Sequence, residues 1–271
     1  MARSRFMAPA RSQVQVEVFG HPIFARLVDD AGPHPLLCGP EWPTIAALDA
    51  QLGVGAGVRF VAQDAALLGD GLHYESRIHA QGQVATRERN WHDLFNALIW
   101  HACAPIKRAL NARQVEEIAR QGPRQRSRAQ CALTHFDEAG AVVWARDPAL
   151  LAAWDAHDWA AFFGQRAAFV EGALRVHVFG HALLEHALIP ERLPTAKGLA
   201  LVGGDPCDWI ARVAAAIAAK KVLLDPQELR PLPLAGIPGW AAGQDAPGFH
   251  QGECFRPLRP GRRYPAPLMP A

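Results

Sequence analysis

Long apolar runs and patterned cysteines are both missing from this 271-residue sequence. No stretch of about 18 consecutive apolar residues occurs, which excludes an ordinary membrane-spanning helix. The five cysteines are scattered and odd in number, so neither a disulfide framework nor a zinc site of paired cysteines is expected. Free thiols fit a reducing cytoplasm, and no apolar segment of a signal peptide follows Arg3 and Arg5. We therefore predict a cytoplasmic protein without a membrane partner.

Several catalytic and nucleotide-binding motifs are missing as well. The sequence has no His-Glu-x-x-His of a zinc protease and no Gly-x-Ser-x-Gly of a serine hydrolase. The glycine-rich stretch at 53–57 resembles a phosphate loop but lacks its Lys-Ser/Thr pair. His181 and His186 flank Glu185, but residues five apart do not share a helix face. The sequence therefore predicts no metal site, leaves open whether a metal binds near His92 or His181, and identifies no cofactor.

Neither sign of charge is in large excess. The chain has 28 lysines and arginines against 26 aspartates and glutamates, a net charge of +2, which gives no global attraction to polyanions. Cations are nevertheless concentrated in residues 107–128, and a second arginine group follows in residues 256–263. Such segments either bind the phosphates of a nucleotide or nucleic acid or form a solvated surface, and both remain open. The first group consists of Lys107, Arg108, Arg113, Arg120, Arg124, Arg126 and Arg128.

The most informative segment is residues 90–100. Its apolar residues recur at helical spacing, which predicts a buried helix over 91–103. Asn90 stands where an N-cap residue belongs, and the charge of Asp93 suits the first turn. His92 and Asn96 lie four residues apart on the second face. That face is either an internal hydrogen-bond network or the wall of a pocket in which His92 transfers protons.

Residues 73–79 precede this helix, and their polar side chains alternate along the chain. In a strand, Glu75 and Arg77 would point to the same side as the histidines that flank them. Two interpretations remain open. The segment is either a solvent-facing strand with a Glu–Arg ion pair or part of a site in which Glu75 and a histidine act as acid and base.

The same segments carry a resemblance to a known family. Tyr-Glu-Ser-Arg-Ile at 74–78 and Asn-Trp-His-Asp-Leu-Phe-Asn-Ala-Leu at 90–98 resemble the core of a bacterial family, the domain of unknown function 3025. Later landmarks are Thr-His-Phe-Asp-Glu-Ala-Gly at 134–140 and Phe-Gly-His-Ala-Leu at 179–183. The resemblance extends over residues 20–240 and implies no activity. It draws attention to Glu75, Arg77, His92, Asp93, Asn96 and His181.

The predicted architecture is α+β, a single domain with a small, mostly antiparallel sheet packed beside several helices. A hairpin is expected over 130–144, and a mainly α fold with only that hairpin is the alternative. Residues 1–13 are expected to be a disordered tail and 14–225 a single globular domain. Residues 226–271 are expected to be a Pro/Gly-rich extension that packs on the domain with little regular structure.

Two functions fit these features. In the first, a hydrolase-type enzyme acts on an anionic or phosphoester substrate, with His92 as general acid or base and Asp93 or Glu75 as its orienting carboxylate. Its substrate-binding residues would be Arg77, Arg87, Asn96 and Lys107. We predict that Glu75 or Arg77 then lies within hydrogen-bond reach of His92, Asp93 or Asn96, directly or through one water.

The second function is a binding module without chemistry, in which the same residues form a structural network. Its 107–128 segment would bind nucleic acid or an acidic partner through Arg124, Arg126 and Arg128. A cleft that holds His92 and Glu75 together favours the enzyme, whereas separated and fully packed side chains favour the module. The sequence leaves the oligomeric state open.

Overall fold

The computed structural model describes residues 6–53, 57–122, 125–189, 191 and 193–270 of the chain. The strands are β1 (Val28–Asp29), β2 (Gly32–Pro33), β3 (Arg59–Ala62), β4 (Gln83–Thr86), β5 (Gly140–Ala145), β6 (Leu174–Val178), β7 (Thr195–Val202) and β8 (Arg230–Pro233). The α-helices are α1 (Ile45–Leu52), α2 (Ala65–Leu68), α3 (Tyr74–Gln81), α4 (Trp91–Ala102), α5 (Ala104–Gln121), α6 (Arg128–Ala139), α7 (Ala152–Asp155), α8 (Trp159–Gly164), α9 (Arg166–Val170), α10 (His181–His186) and α11 (Trp209–Ala218). Within the described ranges, every helix is too short or too polar to cross a membrane.

The main sheet has four strands in the order β6–β5–β7–β8. β5 pairs antiparallel with β6 and parallel with β7, and β8 pairs antiparallel with β7. Every residue of β5 is buried, as expected of a central strand that is covered on both faces. The fold is therefore α+β with a small, mostly antiparallel sheet beside several helices, as predicted.

Helix α4 is the buried helix that the sequence predicts after Asn90. The Asn90 side chain caps it, because its Oδ1 accepts a hydrogen bond from the Asp93 backbone N–H at 3.0 Å. Leu94 and Phe95 are buried, and the Phe95 ring stacks on Trp91 with centroids 5.7 Å apart. The helix also packs against α5 and α10, so its second, more polar face meets protein as well.

The hairpin predicted over 130–144 is wrong, because the first half of that segment belongs to helix α6. Ser127 and Gln130 form a reciprocal capping box at the start of this helix. The buried residues Ala129, Leu133 and Phe136 then recur at helical spacing. The apparent turn at 137–140 is the last turn of α6 and the first residue of β5.

The strand predicted over 73–79 is wrong too, because these residues form helix α3. Nδ1 of His73 accepts the Glu75 backbone N–H at 3.3 Å and caps the helix. Gly82 ends it in the left-handed conformation, with φ at 64°. Residues two apart in a helix do not share a face. Glu75 and Arg77 therefore have different surroundings.

The C-terminal segment contributes to the sheet, so the expectation of little regular structure is wrong at 230–233. Strand β8 is at one edge, where proline is tolerated, and it contains Pro231 and Pro233. Leu234, just after β8, donates its backbone N–H to the Pro194 carbonyl oxygen at 3.2 Å. Farther along, the Leu268 carbonyl oxygen accepts the Val202 N–H at 2.9 Å.

At the N-terminal end, residues 1–5 of the expected tail lie outside the described residues. Arg11 is buried, and its guanidinium donates to the carbonyl oxygens of Leu36 and Cys38 at 2.9 and 2.8 Å. The indole N–H of Trp91 donates to the Pro9 carbonyl oxygen at 3.0 Å. These contacts join residues 9–11 to the core around α4.

Candidate active site

A polar cavity of about 500 Å³ lies where α3, α4, α5 and α6 meet the first turn of α10. Helix α4 contributes several of the residues singled out in the sequence, and α6 and α10 contribute others. The histidine and charged residues among those that line it are His73, Glu75, Arg87, His92, Asp93, Arg126, Asp137, Glu138 and His181. The cavity thus holds His92 and Glu75 together, the arrangement that favours an enzyme over a fully packed network.

Two histidines and two glutamates form a cluster at one end of the cavity. Nδ1 of His92 lies 3.1 Å from Oε2 of Glu185, and Nε2 of His92 lies 3.0 Å from Nε2 of His181. Oε2 of Glu138 is 3.6 Å from both of these Nε2 atoms. We call these four residues the histidine–glutamate cluster. Its members come from three helices that lie far apart in the sequence: α4, the end of α6, and α10.

A glycine allows these helices to approach each other. Gly180 caps α10, and its backbone N–H donates to the Gly140 carbonyl oxygen at 2.8 Å. A Cβ atom at position 180 would lie 2.5 Å from the Glu138 carbonyl oxygen and 2.5 Å from Ala139 Cα. The chain segments that carry Glu138 and His181 therefore cross in backbone contact, and this crossing requires glycine.

Gly180→Ala is expected to lower the free energy of unfolding by about 1–3 kcal/mol, because the added methyl group must push two backbone segments apart. The measurement is urea unfolding monitored by circular dichroism. Gly164→Ala is a matched control, since a Cβ there would meet open space at the end of α8. Equal stabilities for the two variants would contradict the crossing.

Burial and neighbouring charges set the protonation of the cluster. Burial lowers the pKa of His92, but the Glu185 hydrogen bond and the Glu138 charge outweigh it, so the pKa is raised overall. Burial raises the pKa of Glu138. Burial also lowers the pKa of His181 well below its ordinary value. His181 is therefore a neutral imidazole near neutral pH, whereas His92 accepts a proton more readily.

Asp93 has a different partner from the one that the sequence suggested. Its carboxylate accepts the Arg87 backbone N–H at 2.6 Å and the Arg87 Nε and Nη2 protons at 3.0 and 2.8 Å. Asp93 thus holds the loop before α4 and positions Arg87, whose side chain is 50% exposed. The carboxylate that contacts His92 through Nδ1 is that of Glu185.

Asn96 and Lys107 belong to a chain of hydrogen bonds in the wall of the cavity. The Asn96 amide donates to the Tyr74 hydroxyl at 3.1 Å, and its Oδ1 accepts from Lys107 Nζ at 2.8 Å. Nζ also donates to Asp137 at 2.6 Å. Lys107 is buried, and its ammonium group makes both of these hydrogen bonds. It therefore offsets the charge of Asp137 and fixes the position of the Asn96 side chain.

Glu75 lines the cavity but does not bond to the residues that the sequence suggested. The Asn111 amide donates to its Oε2 at 2.6 Å. Among the residues that the structure describes, neither Glu75 nor Arg77 makes a direct hydrogen bond to the three predicted partners on α4. The direct form of the predicted contact is therefore absent, and a contact through one water stays a prediction. Burial raises the pKa of Glu75 to about 7, so the carboxyl group is a proton donor near neutral pH.

Arg77 lies away from the cavity. Its guanidinium pairs with the Asp70 carboxylate and donates to the Leu67 carbonyl oxygen at 2.8 Å. The side chain is buried and fastens the segment before α3. The sequence grouped it with Glu75 because a strand was expected here. Arg77 is not among the residues that line this cavity.

Glu75→Gln is expected to stabilise the protein above pH 7. The folded pKa of about 7 lies above the ordinary value of 4.5, so protonated Glu75 favours folding. That contribution is complete below pH 4.5 and is lost as the pH rises through 7. The wild type thereby loses on the order of 3 kcal/mol of its free energy of unfolding. The variant does not lose it, because the glutamine side chain does not ionise.

Urea unfolding at pH 5 and pH 8 measures the effect of Glu75→Gln. The variant is expected to lose less stability between the two pH values than the wild type does. Glu171→Gln, on the surface after α9, is the control and is expected to follow the wild type. A variant with the full wild-type pH dependence would contradict a raised Glu75 pKa.

The basic residues of 107–128 do not share one surface. Lys107 and Arg113 are buried, and the Arg113 guanidinium donates to the Ile217 carbonyl oxygen at 2.9 Å. Arg128 pairs with Asp225. Arg126 is exposed, lines the cavity and donates to the Thr134 hydroxyl at 2.8 Å. Arg124, like part of the glycine-rich stretch at 53–57, lies outside the described residues.

Sequence reasoning did not assign roles to Glu138 and Glu185. Glu138 stands inside the landmark at 134–140, but that landmark was interpreted as a turn. Glu185 was considered only together with His181 and His186, on its own helix. The family landmarks at 134–140 and 179–183 contain two of the four cluster residues, so they were the signal that could have found the site.

Comparison with known proteins identifies a family. The family model described as "Protein of unknown function (DUF3025)" matches residues 58–259 of the chain. No curated protein and no solved structure matches the chain. The matched range includes all four residues of the histidine–glutamate cluster. The chain belongs to the DUF3025 family, in agreement with the resemblance noted in its sequence.

Proposed function

We propose that this member of the DUF3025 family is a hydrolase that activates water with its histidine–glutamate cluster and attacks an anionic substrate, with phosphoesters as the first class to test. The observation that carries the proposal is the position of His92. Its Nδ1 contacts Glu185, and its Nε2 meets His181 and Glu138 at a cavity wall. An imidazole oriented by a carboxylate is a recurrent arrangement in proton transfer and water activation.

Two arginines at the cavity, Arg87 and Arg126, support binding of an anionic group, although carboxylates outnumber them among the lining residues. The carboxylates of Asp93 and Asp137 are offset by Arg87 and Lys107 through direct hydrogen bonds. Glu75 has a pKa near 7, so it is partly neutral at physiological pH. Arg87 is paired with Asp93 but remains half exposed at the cavity, where the exposed part of its guanidinium would contact a substrate oxygen.

Arg126 supplies a second cation at the cavity, and Glu75 supplies a proton donor. Arginine binds phosphate and carboxylate oxygens through two N–H groups at once. A protonated carboxyl group near neutral pH is suited to protonating a leaving group. The cavity thus combines water activation, anion binding and proton donation, which together are the requirements of ester hydrolysis.

The experiment is a hydrolysis screen with the full chain and three chromogenic esters: p-nitrophenyl phosphate, bis-p-nitrophenyl phosphate and the neutral p-nitrophenyl acetate. Turnover of a phosphoester, lost in Glu138→Gln, supports the proposal. Turnover of the acetate alone, or equal rates for wild type and Glu138→Gln, would overturn it.

Arg126→Ala is expected to raise KM for a hydrolysed phosphoester by roughly tenfold while kcat changes little, because one charge-assisted hydrogen bond contributes about 1.5–3 kcal/mol. Steady-state kinetics measures the split between KM and kcat. Arg128→Ala is the matched control, since this exposed arginine two residues away pairs with Asp225 instead. Equal KM values for both variants would remove Arg126 from the substrate site.

A further inference from the structure

We infer that His92, His181 and Glu138 bind a divalent transition-metal ion, with Zn²⁺ as the best fit. The three residues offer two imidazole nitrogens and a carboxylate oxygen that all lie within 4.8 Å of one another. Sequence spacing predicted no metal site and left open whether a metal binds near His92 or His181; this inference proposes that one does. The role of the ion in activating water rests on the function proposed above, whereas binding of the ion does not.

The distances within the cluster fit a single ion. Zinc bonds to histidine nitrogen and carboxylate oxygen of about 2.0–2.2 Å place neighbouring ligand atoms roughly 3.3 Å apart in a tetrahedral site. The Nε2 atoms of His92 and His181 are 3.0 Å apart, and each is 3.6 Å from Oε2 of Glu138. These three separations lie on both sides of the tetrahedral value, so small side-chain rotations would complete the site.

Glu185 occupies the position of an outer partner to the metal ligand His92. Histidines that bind metals through one ring nitrogen usually donate the other N–H to a carboxylate, which fixes the tautomer and the ring orientation. Nδ1 of His92 makes this contact with Glu185 at 3.1 Å, which leaves Nε2 with its lone pair directed toward His181 and Glu138. The arrangement is that of a carboxylate–histidine–metal triad.

The competing explanation is a hydrogen-bonded histidine pair without a metal ion. In that arrangement His181 donates from Nε2 to His92, and its buried Nδ1 atom is left with a lone pair. Within the described residues Nδ1 of His181 has no hydrogen-bond partner, so this atom is unpaired in either arrangement and does not decide between them. The metal-bound arrangement instead uses both Nε2 lone pairs and places the positive ion beside Glu138. It also gives the Glu138 carboxylate a ligand bond, whereas in the histidine pair alone its Oε2 atom lies 3.6 Å from both Nε2 atoms.

The ligand set points to a reactive site rather than a structural one. Structural zinc sites use four protein ligands, whereas catalytic sites use three and keep a position open for water or substrate. Here three ligands face a cavity of about 500 Å³, which has room for both. Two imidazoles favour Zn²⁺ or another late transition metal over Mg²⁺ and Ca²⁺, which prefer oxygen ligands.

The first test is metal binding by the full chain after removal of metals with a chelator. Isothermal titration calorimetry with Zn²⁺ is expected to show about one site per chain, and Co²⁺ is expected to give visible absorption bands of a bound ion. Glu138→Gln keeps the side-chain volume and is expected to weaken binding at least tenfold. Glu185→Gln is expected to weaken it by about 10–100-fold, as for other outer partners.

His186→Ala is the matched control for these variants. This residue lies on the same helix as His181, but its ring stacks on Phe6 outside the cluster. It is expected to bind Zn²⁺ as the wild type does. Absence of Zn²⁺ and Co²⁺ binding by the wild type, or equal affinities for Glu138→Gln and His186→Ala, would overturn the metal site.

The metal site and the hydrolase proposal fail separately. Zn²⁺ binding that depends on Glu138, without hydrolysis of any phosphoester, supports the metal site and counts against the hydrolase. Phosphoester hydrolysis by a chain that binds no Zn²⁺ or Co²⁺ and is insensitive to chelators overturns the metal site and leaves the hydrolase standing. Hydrolysis that is lost on chelation and restored by Zn²⁺ supports both.

Discussion

His92→Ala is expected to lower kcat/KM for a hydrolysed phosphoester by about 10²–10⁴, the range typical for loss of a group that activates water or transfers a proton. His92 is the only residue of the cluster that contacts the other three members. Its removal takes away one Nε2 atom and leaves Glu185 without its imidazole partner. Steady-state kinetics with the wild type and the variant measures the loss.

The same variant is expected to have a modest effect on stability. The His92 side chain is 26% exposed at the cavity, so its loss should lower the free energy of unfolding by no more than about 1–2 kcal/mol. His186→Ala controls for loss of an imidazole outside the cluster. A stability loss as large as that of a core truncation, with unchanged kinetics, would make His92 a structural clamp rather than a catalytic residue.

Phe95→Ala is expected to lower the free energy of unfolding by about 3–5 kcal/mol. Phe95 is completely buried in α4, and its ring stacks with those of Trp91 and Phe24, with centroid distances of 5.7 and 5.9 Å. Truncation removes these apolar contacts and leaves a cavity that the surrounding helices fill only in part. Urea unfolding gives the difference, provided that the m-value is unchanged.

Two comparisons make the Phe95 result specific. Phe95→Leu keeps most of the volume and is expected to have a much smaller effect than the alanine variant. Val170→Ala removes a side chain that is 84% exposed and is expected to change the stability by less than about 0.5 kcal/mol. A Phe95→Ala effect as small as that of Val170→Ala would contradict the placement of α4 in the core.

Secondary structure was predicted most accurately where apolar residues followed a single periodicity over many residues. The apolar residues from Trp91 to Ile99 match only a helix, and α4 has the predicted start at its Asn90 cap. The segments at 73–79 and 130–136 are each about two helical turns long, and short mixed runs fit a strand as well as a helix. In both, the side chain of His73 or Ser127 accepts a backbone N–H of the first turn and caps a helix, which decides between the two structures.

The site was predicted only in part because its contacts are tertiary. His92 could be singled out from its helix, but its carboxylate partner is Glu185, which the chain reaches only after the whole of β5 and β6. Asp93 and Glu75 were chosen because the family resemblance and the local pattern singled them out. Their hydrogen bonds go to Arg87 and Asn111, and sequence spacing does not contain this information.

The prolines of β8 have a consequence for how copies of this protein behave at high concentration. The Leu234 N–H faces β7, so in the alternating pattern of an antiparallel ladder positions 231 and 233 face the open edge of the sheet. Proline offers no N–H there, and the Pro231 carbonyl oxygen already accepts the Trp154 indole N–H at 2.8 Å. A strand from a neighbouring molecule therefore finds little to pair with, and this edge resists aggregation by strand addition.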